Sequence, residues 1–240
     1  IKMKTICIIP ARGGSKGIKL KNIQLLNKKP LIYYPIQAAV RSKVCDKVIV
    51  STDSHKIAKL SKKFGAEVPF MRDKKYSRDF TTTEETLKHA LEQAENYYNI
   101  KFDICVFLAA TNVFRKISWI KDSVNILKKN NKIESAFSVH KIYKHFWHYK
   151  DNKLSKVAKW MNNYTSRQIS PKLFREDTGL ASASRSHLWR RGKRIGKKVK
   201  LIVNEDSFTG IDIHDQRDLK LAEFAMSYLI KNNLTKDMII

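Results

Sequence analysis

The sequence is short of cysteine, glycine, proline and acidic side chains. Its 240 residues include 3 Cys, 8 Gly and 5 Pro. So few glycines and prolines argue against a repeat of short strands joined by tight turns. The cysteines are odd in number, far apart and without a C-x-x-C pair, which excludes a zinc or dithiol motif and favours a reducing compartment. No run approaches the roughly 18 apolar residues of a membrane span, so we expect a cytoplasmic protein without membrane insertion.

Acidic residues are outnumbered by basic ones, 22 to 48, which gives a formal net charge of +26. Such a chain attracts polyanions, anionic membrane surfaces or small anionic substrates. Most of the excess is lysine scattered in pairs such as Lys28-Lys29, a distribution typical of a solvated surface. The charge alone leaves open both an enzyme for anionic substrates and a basic nucleic-acid-binding protein.

Short apolar runs alternate with helical patterns through most of the chain. Five runs are predicted to be strands: residues 5–9, 47–52, 103–108, 135–139 and 199–203. The first lacks polar alternation, as expected for a strand buried on both faces of a parallel sheet, and the second is predicted to be buried as well. Helices are predicted between them at 31–41, 54–64, 118–129 and from Asp215 onward, and Thr82 with Glu85 predicts a capping box before another. This alternation indicates right-handed βαβ units and a single domain, 1–240, of the α/β class.

Residues 140–175 break the alternation. The segment is rich in histidine, tyrosine, tryptophan and lysine and shows neither a helical nor a strand period. We predict an inserted arm within the single domain, either two-stranded or a lid. Aromatic side chains such as Trp147 and Trp160 favour a protein interface over nucleic-acid stacking, so the arm is predicted to support dimerisation and to cover the acceptor site.

A glycine-rich loop directly follows the first predicted strand. It contains three glycines and is accompanied by three cations: Gly13, Gly14 and Gly17, and Arg12, Lys16 and Lys21. Glycines let backbone N–H groups approach a phosphate chain closely, and the cations neutralise it. The spacing fits neither a P-loop nor the dinucleotide fingerprint, and no G-x-S-x-G elbow surrounds Ser15. The pattern predicts a phosphate cradle in which Ser15 is a hydrogen-bond donor and not a nucleophile.

The same loop opens a series of segments that resembles a known family. I-P-A-R-G-G-S-K-G at residues 9–17, followed by Lys21-Asn22, closely resembles the opening signature of the acylneuraminate cytidylyltransferases, the CMP-sialic acid synthetase family. Further matches follow in the family's order at residues 48–53, 70–72 with Asp79, 108–115, 166–168 and 212–223. The resemblance covers most of the chain. It implies a Rossmann-like, mostly parallel sheet flanked by helices, of the nucleotide-diphospho-sugar transferase type, with a small dimerisation insertion.

The resemblance also implies a reaction. CMP passes from CTP to a 3-deoxy-2-ulosonic acid of the sialic, legionaminic, pseudaminic or octulosonic type, with release of pyrophosphate, for surface glycan (lipopolysaccharide) biosynthesis. The site residues it implies are the catalytic cations Arg12, Lys16 and Lys21; the nucleotide-binding residues Ala11, Arg12, Gly13, Gly14, Ser15, Gly17, Asn22, Arg72 and Asp79; the sugar-binding residues Thr111, Arg115, Arg167 and Gln168; and the metal ligand Asp212, with His214 as a second candidate. The expected cofactor is Mg²⁺ or Mn²⁺.

Arginine provides a physical reason to expect an acidic acceptor. Arg115 and Arg167 are left over once the triphosphate is neutralised, and a guanidinium binds a carboxylate through two parallel hydrogen bonds. We therefore expect ulosonic acids to be accepted and neutral hexose 1-phosphates to be refused. Ala109-Ala110 and the E-D-T-G sequence at 176–179 depart from the family's pattern, which leaves the identity of the acid open.

The metal site departs from the family's pattern as well. His214 stands where the family has a second carboxylate, and imidazole suits softer ions than magnesium. Two readings stay open: Asp212 holds the ion with substrate oxygens and water, or another carboxylate helps. A ligand role for His214 and a supporting role remain equal alternatives.

Two alternative functions stay open at this stage. One is a nucleotidyltransferase that uses another nucleotide or a sugar phosphate, and the other is the basic nucleic-acid-binding protein suggested by the charge. The leading hypothesis is a cytoplasmic homodimeric cytidylyltransferase that takes CTP and an eight- or nine-carbon acidic sugar, without a nucleic-acid partner.

Overall fold

The computed structural model describes residues 3–240, and within that range the chain forms eleven strands and six α-helices. The strands are β1 Thr5–Pro10, β2 Leu25–Leu26, β3 Lys29–Pro30, β4 Lys47–Ser51, β5 Ile104–Phe107, β6 Ser135–Ile142, β7 Trp147–Lys150, β8 Lys153–Lys156, β9 Leu173–Glu176, β10 Ser182–Arg185 and β11 Val199–Asn204. The helices are α1 Tyr33–Ser42, α2 His55–Lys63, α3 Thr83–Tyr98, α4 Ile117–Lys129, α5 Ser186–Arg190 and α6 Gln216–Lys231.

The central sheet has the order β11-β6-β10-β5-β1-β4, and β9 pairs with the end of β6. Neighbours β4, β1 and β5 are parallel, as are β6 and β11. Strand β10 runs antiparallel to both β5 and β6, so it joins two parallel groups that point the same way. The predicted α/β class with a mostly parallel sheet is confirmed.

Helices cover both faces of this sheet. Alternate residues of β1 point to opposite sides: Cys7 and Ile9 pack in a core with α1, α4 and α6, whereas Ile6 and Ile8 pack in a core with α3 and α5. Because both faces are apolar, the strand carries the unbroken hydrophobic run seen in the sequence. This three-layer packing fixes the carboxyl ends of β1, β4 and β5 along one edge of the sheet, where ligands bind in open α/β folds.

Local capping signals place the helix starts. The Ser54 side chain accepts a hydrogen bond from the backbone N–H of Ile57 and begins α2, and Thr82 with Glu85 forms a capping box before α3. Asp215 caps α6 in the same way, with Asp218 as its partner. These three starts confirm the sequence predictions. No helix in residues 3–240 combines the length and the apolar character needed to cross a bilayer.

The segment predicted as an arm begins and ends within the main sheet. Strand β6 continues past the predicted end at residue 139 to Ile142, and residues 139–142 pair with β9 at residues 173–176. Between these strands the chain forms the β7–β8 hairpin and a short 3-10 turn at Lys159–Asn162. We call residues 143–172 the arm.

Candidate active site

Two cavities lie at the carboxyl edge of the sheet. The first, of ≈ 580 Å³, is lined by the glycine-rich loop, the segment after β4, the start of α3 and the residues before α6. The second, of ≈ 400 Å³, is lined by the loop after β5, the segment between β9 and β10, and the turn at residues 209–212. Asp212 lines the second cavity and His214 lines the first, so the chain from 212 to 214 lies between them.

The glycine-rich loop is held at three points. The Gly13 N–H donates to Asp53 Oδ1 at 2.8 Å, and Asn22 Nδ2 donates to the Arg12 carbonyl at 2.9 Å. At Gly17 the backbone approaches the His214 carbonyl so closely that a Cβ atom would collide with it. Only glycine fits there, because the oxygen belongs to backbone that cannot rotate away. The loop is therefore fixed both to the turn after β4 and to the chain between the two cavities.

Arg12, Lys16 and Lys21 all line the first cavity. Arg12 Nη1 and Lys16 Nζ each lie 2.9 Å from an oxygen of Asp79, and these cations, Lys16 foremost, hold the pKa of the Asp79 carboxyl below its usual value. Burial lowers the pKa of Lys21, an effect that Asp212 opposes and Arg12 reinforces. The three predicted catalytic cations thus surround one space, with Asp79 as counter-ion to two of them.

Arg72 forms the part of this cavity next to β4. The side chain is buried, Nε donates to Ser51 Oγ at 3.0 Å and Nη2 donates to the Ser51 carbonyl. Burial lowers the pKa of Arg72 to about 10, so it stays cationic at neutral pH. For Nη1 no hydrogen bond is found within residues 3–240. Arg72 therefore offers a fixed donor to a ligand in the cavity, and its role in nucleotide binding stays a prediction.

The second cavity contains Thr111, a predicted sugar residue, and Arg175, which the sequence analysis missed. Arg175 binds Asp177 through two hydrogen bonds, Nε to Oδ1 at 2.8 Å and Nη2 to Oδ2 at 2.9 Å. The signal for Arg175 was available, since it directly precedes the E-D-T-G sequence that departs from the family pattern. Asp177 thus occupies one edge of the Arg175 guanidinium, and Nη1, which makes no hydrogen bond within residues 3–240, is the donor left for a ligand in this cavity.

Arg115 lies behind the residues that line the second cavity. Its side chain is 1% exposed, Nε donates to the Leu180 carbonyl at 2.9 Å, and Nη2 donates to the carbonyls of Ala109 and Gly179. Burial lowers the pKa of Arg115 to about 9, and the Cys7 thiol opposes this effect. Nε and Nη2 are directed at backbone and join two loops that line the second cavity. Nη1 is buried without a partner in the described chain, and a direct contact between Arg115 and an acceptor carboxylate stays a prediction.

Arg167 and Gln168 are also outside the second cavity. They line a third cavity of ≈ 380 Å³ on the arm, together with Lys141, Tyr143 and Lys172. The Arg167 guanidinium lies 5.9 Å from the centre of the Tyr143 ring. The structure does not bring these two residues together with Thr111 in one copy of the chain. A contribution to the acceptor site of a second copy stays a prediction.

Asp212 is the residue best placed to hold a metal ion. Its Oδ1 atom is buried and has no hydrogen-bond partner in the described chain, and Oδ2 lies 3.1 Å from His214 Nε2. Within residues 3–240 there is no group of three His, Cys, Asp or Glu side chains that could enclose an ion. Mg²⁺ commonly binds proteins through one or two carboxylates and completes its shell with substrate phosphates and water. A single carboxylate between the two cavities fits that mode of binding.

The family assignment follows from comparison with known proteins. A family model described as cytidylyltransferase matches residues 6–223. The chain belongs to the cytidylyltransferase family. This confirms the resemblance found in the sequence and the prediction of a nucleotidyltransferase.

Two of the relatives match nearly the whole of this cytidylyltransferase, and a third matches about half of it. The chain is 33% identical over 233 residues to the CMP-N,N'-diacetyllegionaminic acid synthase of Campylobacter jejuni, covering 97% of this chain and 98% of the relative. It is 31% identical over 235 residues to post-translational flagellin modification protein B of Campylobacter coli, covering 97% and 98%. A shorter match of 114 residues, 40% identical, joins 48% of the chain to 49% of a C. jejuni pseudaminic acid cytidylyltransferase.

Solved structures support the fold. CMP:2-keto-3-deoxy-manno-octonic acid synthetase complexed with CTP superposes with a TM-score of 0.69 at 14% identity, covering 94% of this chain and 99% of that one. The 4-diphosphocytidyl-2C-methyl-D-erythritol synthase of Anaerococcus prevotii superposes with a TM-score of 0.65 at 15% identity, with the same coverage. At such identities the likeness concerns the architecture alone.

Proposed function

We propose that this cytidylyltransferase transfers CMP from CTP to a 3-deoxy-2-ulosonic acid and releases pyrophosphate. The observation that carries the proposal is the pair of cavities separated by residues 212–214, one lined by a glycine loop with three cations and the other containing Arg175. The names of the relatives support it, since they include synthases of CMP-legionaminic acid and cytidylyltransferases for pseudaminic and N-acylneuraminic acids.

The first cavity supplies the electrostatics of the reaction. The anomeric hydroxyl oxygen forms a bond to the α-phosphorus while the bond from that phosphorus to the β-phosphate oxygen breaks, and the hydroxyl proton is lost to solvent. Charge accumulates on the phosphate oxygens, so fixed cations stabilise the transition state more than a nucleophilic side chain would. Arg12, Lys16 and Lys21 supply these cations, and the triphosphate displaces Asp79 from the first two.

Arg72 gives a physical reason for the choice of cytosine. Its guanidinium only donates hydrogen bonds, and cytosine presents two adjacent acceptors, O2 and N3. Uracil carries a proton on N3 and would direct a donor at the guanidinium. Because Ser51 fixes the Arg72 side chain, the mismatch cannot be relieved by rotation. We therefore expect CTP to be preferred to UTP.

Asp212 would hold the divalent ion, Mg²⁺ or Mn²⁺, through its unpartnered oxygen together with phosphate oxygens. Such an ion neutralises phosphate charge when bound. Within one copy, Arg175 Nη1 would donate to the acceptor's carboxylate, since Asp177 occupies the other edge of this guanidinium. Arg115, whose Nη1 is buried and unpartnered in the described chain, stays a second candidate. Since CTP is a cytosolic nucleotide, the reaction is expected in the cytoplasm.

The arm supports the proposal of a homodimer. Large apolar side chains are exposed along it, which is unusual for a surface that faces only water: Trp147, Tyr149, Leu154, Tyr164 and Ile169. A second copy would cover this surface and bring Arg167 and Gln168 to its neighbour's acceptor cavity. Sedimentation at micromolar concentration is expected to show a dimer, and a monomer there would contradict the proposal.

A pyrophosphate-release assay tests the function. The chain is incubated with Mg²⁺, each of the four nucleoside triphosphates, and legionaminic, pseudaminic, sialic or octulosonic acid, with glucose 1-phosphate as the neutral-sugar control. Release is expected with CTP and at least one acid. Turnover of glucose 1-phosphate with every acid inert would instead support a sugar-phosphate nucleotidyltransferase.

A further inference from the structure

A column of three aromatic rings supports one wall of the first cavity. The rings of Tyr76 and His89 are stacked, with centroids 4.2 Å apart and planes inclined by 28°. The rings of Phe70 and His89 contact each other edge to face, with centroids 6.0 Å apart and planes inclined by 88°. His89 lies on α3, whereas Tyr76 and Phe70 lie on the segment before it, so the column fixes that segment to the helix.

Tyr76 is the member of this column that reaches the cavity. It lines the same space as Arg72, four residues earlier, and as Thr83 and Thr86 at the start of α3. Among the described residues around this cavity, Tyr76 is the one with a benzene ring. The cations of the glycine loop account for the phosphates, and the wall that contains Arg72 and Tyr76 is left for the base.

His89 is held by stacking and not by hydrogen bonds. Its Nδ1 atom is buried without a partner in the part of the chain that the structure describes, and no hydrogen bond from Nε2 is found there. Burial lowers the pKa of His89, which favours the neutral ring. The contacts that the structure shows for His89 are made by its ring, so we assign this ring the support of Tyr76.

We propose that Tyr76 is a stacking platform for the nucleotide base and that His89 is the positioning residue that holds it. This inference rests on the proposed use of CTP. Stacking on Tyr76 would strengthen the binding of any base, because every base has an aromatic face. Arg72 would then supply the preference for cytosine. Lys75 Nζ lies 5.0 Å from the centre of the Tyr76 ring and 3.7 Å from Asp73, but its side chain is exposed and can move away when a base arrives.

Binding to two ligands separates a base contact from a general role in shaping the cavity. The full chain and its variants are titrated calorimetrically with CTP and with inorganic tripolyphosphate, which has no base. Tyr76→Ala is expected to raise the Kd of CTP about 10-fold and to leave that of tripolyphosphate within about 2-fold. Tyr76→Phe should restore the affinity for CTP. Tyr76→Leu, which fills the volume without an aromatic face, should behave like the alanine variant.

His89 has its own pair of variants. His89→Ala is expected to weaken CTP binding selectively, in the same direction as Tyr76→Ala, whereas His89→Phe keeps a flat ring and should retain wild-type affinity. Tyr97→Ala is the matched control, since Tyr97 is 63% exposed on the same helix and lines none of the three cavities described above. Thermal melting of each variant checks that the fold is intact.

An unchanged Kd for CTP in Tyr76→Ala and Tyr76→Leu would overturn the inference. Equal loss of CTP and tripolyphosphate binding would overturn it too, because Tyr76 would then only support the cavity wall. A wild-type chain that releases no pyrophosphate from CTP with any acid would contradict the proposed function, whatever the variants bind.

Discussion

Replacement of Arg115 by methionine tests whether this residue acts on the substrate or on the fold. The side chain is 1% exposed and donates to three backbone carbonyls, those of Ala109, Gly179 and Leu180. Methionine occupies a similar volume and donates nothing, so the carbonyls of Ala109 and Leu180 lose their donor, whereas the Gly179 carbonyl keeps the hydrogen bond from the Ala109 N–H. We expect Arg115→Met to destabilise the protein.

The size of the effect follows from those contacts. A buried carbonyl left without a donor costs about 1–3 kcal/mol. Leu180 is fully buried, whereas Ala109 and Gly179 are partly accessible to water, and removal of a buried cation also recovers desolvation energy. A net loss of about 2–4 kcal/mol in the free energy of unfolding is therefore expected. For a chain of this size the Tm should fall by about 4–16 °C.

Thermal unfolding and acceptor kinetics together decide the question. Arg41→Met is the control, because Arg41 is exposed on α1, and its Tm should stay within about 2 °C of the wild type. If Arg115→Met kept the wild-type Tm but raised the KM of the acidic sugar, Arg115 would contact substrate and the structural role assigned here would be refuted. A lowered Tm with a nearly unchanged KM at a temperature where the variant is folded supports it.

Three further variants test other contacts. Lys16→Ala removes a cation whose side chain is 77% exposed, so kcat/KM for CTP should fall about 10²-fold while the Tm is unchanged, and retention of full activity would count against the site. Gly17→Ala forces a Cβ atom against the His214 carbonyl, so CTP binding should be lost in calorimetry, whereas wild-type affinity would show that the loop adapts. Burial raises the pKa of Glu95, but the hydrogen bonds from Arg190 and Lys101 outweigh this effect and hold the pKa below its ordinary value of 4.5. The Glu95 carboxylate therefore stabilises the fold at pH values above 4.5. Glu95→Gln should cost about 1–3 kcal/mol at pH 7, and in denaturant melts the difference from wild type should vanish as the pH falls through the lowered pKa.

The sequence predicted those parts of the fold whose cause is local. Ser54, Thr82 and Asp215 begin helices because a short polar side chain reaches backbone N–H groups only two or three residues away. The buried strands were predictable because a parallel strand covered on both faces needs apolar residues at every position. Strand β10 was not, since its Ser-Ala-Ser-Arg sequence has neither an apolar run nor an alternating pattern, and it forms because β5 and β6 leave a gap between them.

The grouping of residues around the first cavity was predictable for the same reason. Residues 10–22 bring glycines and cations together within one loop, so their composition predicts a phosphate site without any information on distant contacts. The contacts of Arg115 were not predictable, because nothing near it in the sequence shows that residues 179 and 180 approach it across more than 60 positions of chain. The neighbouring E-D-T-G sequence drew attention to the region of Arg175, but its place in the second cavity depends on the pairing of β9 with β6, which the sequence does not show.

This difference separates the cavity proposed for the nucleotide from the one proposed for the acceptor. The first cavity depends on a loop that the strand β1 presents directly, with Gly13 and Gly17 fixing its two ends. The second cavity is assembled from segments around residues 109, 177 and 210, which are distant in the chain and joined by Arg115 and Arg175. Changes in any one of these segments reshape the second cavity while the glycine loop and its cations stay in place. A family that keeps one nucleotide and varies the acid needs this separation, and the chain between Asp212 and His214 is where the two halves meet.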